Sequence, residues 1–207
     1  VGVLTRELAL RCDKVAAVEI DTSLKPILEE TLADLPNTEV IFGDVMETDL
    51  AALIAEKAEG RDTVICANLP YYITSPVIMR VLESRLPIKS MTVMVQKEAA
   101  DRICAAPGTR ECGAISCAVS YFSKPELLFR VNRGSFMPAP NVDSAVIRLD
   151  IRQDGGLPPE HEKRLFRMIR AGFSQRRKQL VNPLSGEFGI SKQELSAKFA
   201  EIGIKPT

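Results

Sequence analysis

Residues 62–76 read DTVICANLPYYITSP, and this stretch decides the fold class. An apolar run ends in the turn 68–71, after which we predict a helix with Ser75 as its N-cap and Pro76 as its first residue. The same strand-then-helix pattern recurs on both sides, with strands predicted at 15–20, 39–43, 62–67 and 90–96 and helices at 23–34, 49–59 and 75–84. Alternation of this kind, with nearly continuous apolar strands, predicts a parallel α/β sheet covered on both faces.

The pattern changes in the second half of the sequence. Helices are predicted at 98–105 and 113–122, two strands that close the sheet at 126–131 and 143–151, and tail helices at 160–171, 174–182 and 191–202. The Gly-Gly-Leu-Pro-Pro stretch at 155–159 has the composition of a linker. We therefore predict a doubly wound α/β domain over 1–153 and a small helical domain over 154–207.

Composition excludes several classes of protein. The 207 residues are 45% hydrophobic and 26% charged, which rules out disorder as the main state. No apolar run approaches a membrane span and no metal-ligand cluster is visible, and we expect no secretory signal. The five cysteines lack C-x-x-C spacing, which favours a reducing cytosol. His161 is the only histidine and lies far from any strand end, which argues against hydrolase chemistry.

The distribution of charge is more informative than its sum. Lys plus Arg and Asp plus Glu both total 27, yet residues 154–207 carry 10 basic and 6 acidic side chains. The stretch 173–178, FSQRRK, places Arg176, Arg177 and Lys178 together as candidate phosphate contacts. A positive tail suggests an anionic partner, and chance scatter on a solvated helix is the alternative that charge alone leaves open.

Two acidic residues follow consecutive predicted strands. Ligands of doubly wound sheets bind at the carboxyl ends of the strands. Glu19 ends a strand seventeen positions after Gly2, where an acid can accept both hydroxyls of a ribose. Asp44 follows the next strand, where a carboxylate can accept from an adenine amino group. Either acid alone is equally a solvated strand end, but together they favour a ligand that contains adenosine.

The turn Asn68-Leu69-Pro70-Tyr71 fits the alkylation of an exocyclic amine on a nucleobase. Such a nitrogen is a poor nucleophile because its lone pair is delocalised into the ring. The Asn68 side-chain oxygen and the Leu69 carbonyl can accept its two N–H groups, Pro70 can fix the turn, and Tyr71 offers a ring face for stacking, worth roughly 1–3 kcal/mol per base. The alternative is an ordinary Asn-Pro turn with a packing tyrosine.

A second aromatic residue stands in the proline-rich stretch 136–144, FMPAPNVDS. Phe136 can cover the other face of a base stacked on Tyr71, and a base taken out of its stack needs such a pocket. Two prolines at alternate positions keep the segment extended. The alternative is a proline-rich loop with a buried phenylalanine.

These motifs resemble, in order and across essentially the whole chain, the ribosomal RNA adenine dimethyltransferases. The resemblance rests on the Val-Glu-Ile-Asp stretch around Glu19, Gly43-Asp44, the N-L-P-Y turn at 68–71, the F-x-P-x-P-x-V-D-S stretch at 136–144 and FSQRRK at 173–178. The last stretch is closer to the bacterial small-subunit type than to the antibiotic-resistance methylases of the large subunit.

The resemblance implies a Rossmann-like class I methyltransferase domain followed by a small helical domain. It implies S-adenosylmethionine as methyl donor and N6,N6-dimethylation of two adjacent adenosines in small-subunit rRNA during ribosome assembly. By the same resemblance Gly2, Glu19 and Asp44 bind the cofactor, and Asn68 contacts both cofactor and target amine. Tyr71 and Phe136 sandwich the target base. The expected protein is a cytoplasmic monomer that acts on the immature small subunit.

Three other functions stay open at this point. The first is a methylase of the same chemistry that acts on large-subunit rRNA, and the second is a ribosome-assembly binding factor without catalysis. The third is a DNA adenine methylase, which usually has a dedicated DNA-recognition domain that we do not find here. Transfer of labelled methyl groups to one or another naked RNA separates the first of these from the small-subunit enzyme.

The start of the sequence departs from the family pattern. Of the family's G-x-G-x-G-x-L-T motif only residues 2–5, GVLT, are present, at the entrance to a helix. The resemblance therefore implies a chain truncated at both ends, with the first strand missing. We expect these 207 residues by themselves to bind S-adenosylmethionine weakly or not at all, because one wall of the pocket is absent. Calorimetric titration tests this, and low-micromolar affinity would contradict it.

Overall fold

The computed structural model describes residues 1–175 and 177–205. The chain divides into two units, Val1–Thr92 and Val93–Thr207. None of the helices within the described residues is both long enough and apolar enough to cross a membrane. The division predicted at residues 153 and 154 stays a prediction.

The first unit alternates helices and strands as predicted. Its elements are α1 (Val3–Ala9), β1 (Val15–Glu19), α2 (Lys25–Thr31), β2 (Thr38–Phe42), α3 (Leu50–Ala58), β3 (Thr63–Asn68), α4 (Thr74–Glu83) and the start of β4 (Ile88–Gln96). Strands β1 and β2 pair in parallel, from Val15 opposite Thr38 to Glu19 opposite Phe42. Strand β3 is the neighbour of β4 in a second sheet. The predicted α/β class is therefore confirmed.

Apolar side chains of α1, of α2 and of the residues that follow α2 pack on the first sheet. Ala9, Leu28, Leu32 and Leu35 are buried in one cluster, with Val15 and Val40 of the strands packed against it. Burial of this kind is the main favourable term in folding. It holds β1 and β2 in place, and Glu19 and Asp44 lie at the carboxyl ends of these strands.

Gly2 starts α1 in a conformation that favours glycine. Its φ is +76°, in the left-handed region, and it is the N-cap of α1. A Cβ at this position would lie 3.1 Å from Leu28 Cδ2 and 3.3 Å from Thr31 Oγ1. Both backbone strain and lack of space therefore favour glycine where the sequence pattern predicted a glycine turn.

The second unit contains the end of β4, two further strands and five helices within the described residues. These are α5 (Lys97–Ile103), α6 (Ala114–Phe122), β5 (Ser123–Val131), β6 (Ser144–Ile151), α7 (Pro159–Ser174), α8 (Val181–Phe188) and α9 (Lys192–Glu201). Strands β5 and β6 pair antiparallel, and β6 is also the neighbour of β4. Ala145, Ile147 and Leu149 of β6 are fully buried on one face. This alternation is the period-2 signature of a strand with one core face.

The three tail helices have their own small core. It consists of Ala171, Val181, Leu184, Leu195 and Phe199. Arg167 on α7 donates to the Glu187 carboxylate and backbone carbonyl, and its guanidinium lies 4.8 Å from the centre of the Phe188 ring. These contacts hold α7 and α8 together, so the predicted helical tail is a packed element.

The prediction of a helix over 174–182 is wrong. α7 extends to Ser174, residues 177–180 form turns and bends, and the next helix begins only at Val181. Pro183 gives the physical reason. Proline has no N–H to donate, so it fits both just beyond the end of a helix, as the prediction assumed, and in the first turn of a helix, where Pro183 lies in α8. The segment with Arg177 and Lys178 is therefore a connection between helices.

The expectation that Ser75 caps α4 is also wrong. A short 3₁₀ turn, Tyr71–Ile73, leads directly into the helix, which starts at Thr74 with Ile73 as N-cap. The Thr74 hydroxyl donates to the Pro70 carbonyl at 3.3 Å. The Asn68 turn is therefore followed by this 3₁₀ turn and then by α4, with no intervening loop.

An aromatic cluster joins α6 to α7. The rings of Tyr121, Phe122 and Phe166 lie with centroids 5.1–5.3 Å apart. The Tyr121 hydroxyl donates to Glu162 Oε2 at 3.0 Å and accepts from the Leu157 backbone N–H at 2.7 Å. One side chain thus fixes both the 155–159 connection and the first turn of α7.

We predict that Tyr121→Phe lowers the free energy of unfolding by about 1–2 kcal/mol, because it leaves the Leu157 N–H and the Glu162 carboxylate without this partner. Chemical denaturation measures the change. The matched control is Tyr72→Phe, which removes the same hydroxyl from a side chain that is 84% exposed. An equal effect of the two variants would contradict the role of Tyr121.

Candidate active site

The Asn68 turn presents its side chain to solvent from a rigid base. Asn68 is the last residue of β3 and is exposed, whereas Leu69 beside it is only 7% exposed and anchors the turn. The Pro70 carbonyl accepts from the Ile73 N–H at 3.1 Å as well as from Thr74. The backbone is thus held on both sides of the predicted acceptors, the Asn68 amide oxygen and the Leu69 carbonyl.

The two tyrosines of the turn differ in exposure. Tyr71 starts the 3₁₀ turn and is half-buried, whereas Tyr72 is 84% exposed. A ring that stacks on a base must itself be held in place, because stacking of a freely moving ring costs side-chain entropy. This difference favours Tyr71 as the stacking residue, as the sequence predicts.

Glu19 and Asp44 lie side by side at the carboxyl edge of the first sheet. The Gly43 backbone N–H donates to the Glu19 carbonyl at 2.9 Å, which continues the parallel pairing of β1 and β2 to Gly43, the residue before Asp44. Glu19 Oε1 accepts from the Asp21 N–H at 2.9 Å, and Asp44 Oδ1 accepts from the Met46 N–H at 2.7 Å. Each carboxylate is oriented by one backbone amide and retains acceptor capacity for a ligand.

Phe136 belongs to a loop of the second unit that its own backbone contacts hold. It follows a short 3₁₀ turn, Arg133–Ser135, and is half-buried, whereas Met137 next to it is fully exposed. The Asp143 carboxylate accepts from the Arg133 N–H at 2.9 Å, and the Asp143 carbonyl accepts from the Lys97 N–H, also at 2.9 Å. Asp143 therefore connects this loop to the start of α5.

Tyr71 and Phe136 are placed in different units, each by its own local contacts. Both side chains are half-buried. The sandwich of a base between the two rings stays a prediction.

The basic residues of the tail are only partly covered by the structure. Arg177 and Lys178 are exposed, and Arg176 lies outside the described residues. Helix α7 adds four exposed basic side chains, Lys163, Arg164, Arg167 and Arg170. Arg167 is engaged with Glu187, whereas Lys163, Arg164 and Arg170 are exposed basic side chains for which no ion pair is seen among the described residues.

Burial disfavours the reactive thiolate form of two half-buried cysteines, Cys66 and Cys104. Burial raises the pKa of the Cys66 thiol, two residues before Asn68, and raises the pKa of Cys104 to about 11. Both thiols are therefore protonated at pH 7, and the thiolate is the reactive form. Among the described residues no group of His, Cys, Asp and Glu is arranged to hold a metal ion.

One contact near the site joins residues that are far apart in the sequence. Arg80 on α4 donates through Nη2 to the carbonyl oxygen of Thr48 at 2.7 Å. Thr48 closes the turn that begins at Asp44. The two residues are 32 positions apart, and no local pattern links them, so no signal in the sequence reveals this contact.

A dimethyladenosine transferase from Plasmodium falciparum has a similar solved structure, with 27% identity and a TM-score of 0.77 over 100% of this chain and 72% of that one. The 23S rRNA methyltransferase ErmE follows with 26% identity and a TM-score of 0.74 over 99% of this chain and 79% of that one. The fold is that of a Rossmann-like class I methyltransferase.

Sequence comparison makes the assignment more specific. The family model for ribosomal RNA adenine dimethylase matches residues 1–205. The ribosomal RNA small subunit methyltransferase A of Alkaliphilus oremlandii is 48% identical over 205 residues, which cover 99% of this chain and 71% of that protein. The chain belongs to the ribosomal RNA adenine dimethylase family.

Proposed function

We propose that this protein transfers methyl groups from S-adenosylmethionine to N6 of two adjacent adenosines in small-subunit (16S) rRNA. The single observation that carries the proposal is the Asn68-Leu69-Pro70-Tyr71 turn, held at the end of β3 in a chain of this family. The 48% identity to a small-subunit methyltransferase, against 26% to a large-subunit one, favours the small subunit as the substrate.

The residues at the edge of the first sheet fit the adenosine part of the cofactor. Adenosine offers two ribose hydroxyls and an amino group, all of which donate hydrogen bonds. Glu19 and Asp44 are oriented acceptors on adjacent strand ends, so Glu19 binds the ribose and Asp44 the adenine amine. Gly2 lies at the start of α1 and contributes its backbone to the cofactor site, while its missing side chain leaves room for Leu28 and Thr31. When bound, the cofactor supplies an electrophilic methyl group on a sulfonium.

The Asn68 turn prepares the target nitrogen. The Asn68 side-chain oxygen and the Leu69 carbonyl accept the two N–H groups of the amine and hold its lone pair out of conjugation with the ring. Tyr71 stacks on one face of the base and Phe136 on the other. Each stacking contact contributes on the order of 1–3 kcal/mol and so offsets the few kcal/mol that extrusion of the base costs. No strong general base is needed, because the alkylated ammonium is acidic and loses its proton to water.

The same proposal covers partners and location. Exposed Arg177 and Lys178, with Arg176 beside them in the sequence, bind phosphates of the rRNA, and the immature small subunit is the substrate particle. The protein acts in the cytoplasm, as the reducing compartment predicted from the cysteines suggests, and the proposal takes it to be a monomer. No observation favours a binding factor without catalysis, because the acceptors that catalysis needs are present and held.

We predict that Asn68→Ala reduces methyl transfer to unmethylated small subunits by about 100-fold or more, because the amine loses a hydrogen bond that positions its lone pair. Binding of the subunit should change by less than about threefold, since the phosphate contacts lie elsewhere. Transfer of labelled methyl groups and a filter-binding assay measure the two effects. Asn182→Ala, which changes an asparagine of α8, is the matched control, and turnover of Asn68→Ala equal to this control would rule out the catalytic role.

We predict that the double variant Arg177→Ala and Lys178→Ala binds rRNA more weakly. Log affinity should also decrease less steeply with log salt concentration, with a slope smaller in magnitude by about 2, because the variant neutralises two fewer phosphates. Titration over a range of salt concentrations measures the slope. The control removes two exposed cations elsewhere, Arg11→Ala with Lys25→Ala, which pair with Glu7 and Glu29. Identical slopes for the two double variants would show that 177 and 178 do not contact phosphates.

A further inference from the structure

Arg80 connects two parts of the first unit that the proposed function uses separately. Its guanidinium Nη2 donates to the Thr48 carbonyl oxygen at 2.7 Å, and the side chain is half-buried. Arg80 belongs to α4, which follows the Asn68 turn, and Thr48 belongs to the turn that follows β2. A charged donor on a neutral carbonyl is among the stronger hydrogen bonds in proteins.

Thr48 in turn holds Asp44. The Thr48 N–H and hydroxyl both donate to the Asp44 carbonyl, at 2.9 and 2.8 Å. The Glu47 N–H donates to the same oxygen at 2.9 Å, and the Met46 N–H orients the Asp44 carboxylate. The direction of that carboxylate therefore depends on the shape of the 44–48 turn. Arg80 contacts this turn from outside.

Helix α4 is a firm anchor for Arg80. Val77, Ile78, Val81 and Leu82 are 0–3% exposed, so the helix cannot shift without opening the core. At its start, Thr74 is buried and bonded to the Pro70 carbonyl. The Asp44 turn is thus held by the same helix that supports Asn68.

We propose that Arg80 is a positioning residue that holds the Asp44 turn in the orientation that recognises adenine, and that it thereby sets the selectivity of the enzyme for the base of its cofactor. The inference rests on the proposed function, in which Asp44 accepts from the adenine amino group. Arg80 does not itself touch the ligand. It acts through Thr48.

The base of the ligand offers a selective readout. Hypoxanthine carries a carbonyl oxygen where adenine carries the amino group, so an oriented carboxylate at Asp44 attracts adenine and repels hypoxanthine. The ratio of the dissociation constants of S-inosylhomocysteine and S-adenosylhomocysteine therefore reports the orientation of Asp44. A general loss of stability weakens both ligands alike and leaves the ratio unchanged.

The experiment measures both dissociation constants by calorimetry for the full-length natural protein and its variants. We expect Arg80→Ala to lower the ratio by about tenfold, as the loss of one hydrogen bond to a charged group predicts. Arg80→Lys keeps a cationic donor and should restore most of the ratio. Thr48→Val removes the hydroxyl bond to Asp44 while Arg80 is intact, and should also lower the ratio.

Hydrogen exchange gives a second readout that requires no ligand. The amides of Glu47 and Thr48 both donate to the Asp44 carbonyl, so their protection should fall in Arg80→Ala. The matched control is Arg61→Ala, which removes an exposed arginine paired with Glu59 in the same unit. It should change neither the ratio nor the protection at 47 and 48.

Asp44→Asn separates failure of this inference from failure of the proposed function. If the ratio collapses in Asp44→Asn and is kept in Arg80→Ala, only the role of Arg80 is overturned. If Asp44→Asn keeps the ratio of the wild type, the assignment of Asp44 is wrong and the inference falls with it. An equal loss of affinity for both ligands in Arg80→Ala also overturns the inference, because it indicates a structural role alone.

Discussion

The carbonyl oxygen of Pro70 accepts hydrogen bonds from the Ile73 N–H and the Thr74 hydroxyl, and the candidate active site depends on this pair of bonds. They connect an exposed asparagine at the end of a strand to a helix whose inner face is fully buried. An amide that must accept from a weak nucleophile has to be held in place before the substrate arrives, because ordering it during the reaction would add to the barrier. The proline contributes a fixed φ and the helix contributes rigidity.

Parallel pairing of β1 and β2 positions the two acids that we propose bind the cofactor. Because β1 and β2 run in the same direction, their carboxyl ends meet at one edge, and the residues that follow them become neighbours. Glu19 and Asp44 are brought together in this way although 25 positions separate them in the sequence. Each carboxylate is then oriented by a backbone amide close to it in sequence. The sheet decides the placement, and the local turns decide the direction.

The helical tail combines a packed interior with a charged exterior. Its five-residue core is small, and the Tyr121 hydroxyl joins the connection at 155–159 to the first turn of α7. Exposed arginines and lysines on α7 and in the following connection face solvent, whereas Arg167 is held by Glu187 and Phe188. The net positive charge of residues 154–207 is therefore available to an anionic partner, in keeping with an enzyme that acts on rRNA.

The sequence by itself determined the order and type of nearly every strand and helix, since apolar periodicity and turn residues are local properties. It also determined which residues follow the strands, and hence which ones, Glu19, Asp44 and Asn68, we propose as site residues. It is misleading at 174–182, where a helix that stops before Pro183 is predicted although this proline lies in the first turn of the next helix. Only the tertiary structure decided that a 3₁₀ turn joins the Asn68 turn directly to α4 and that Arg80 contacts Thr48. Contacts between residues far apart depend on how the layers pack, and no local pattern records that packing.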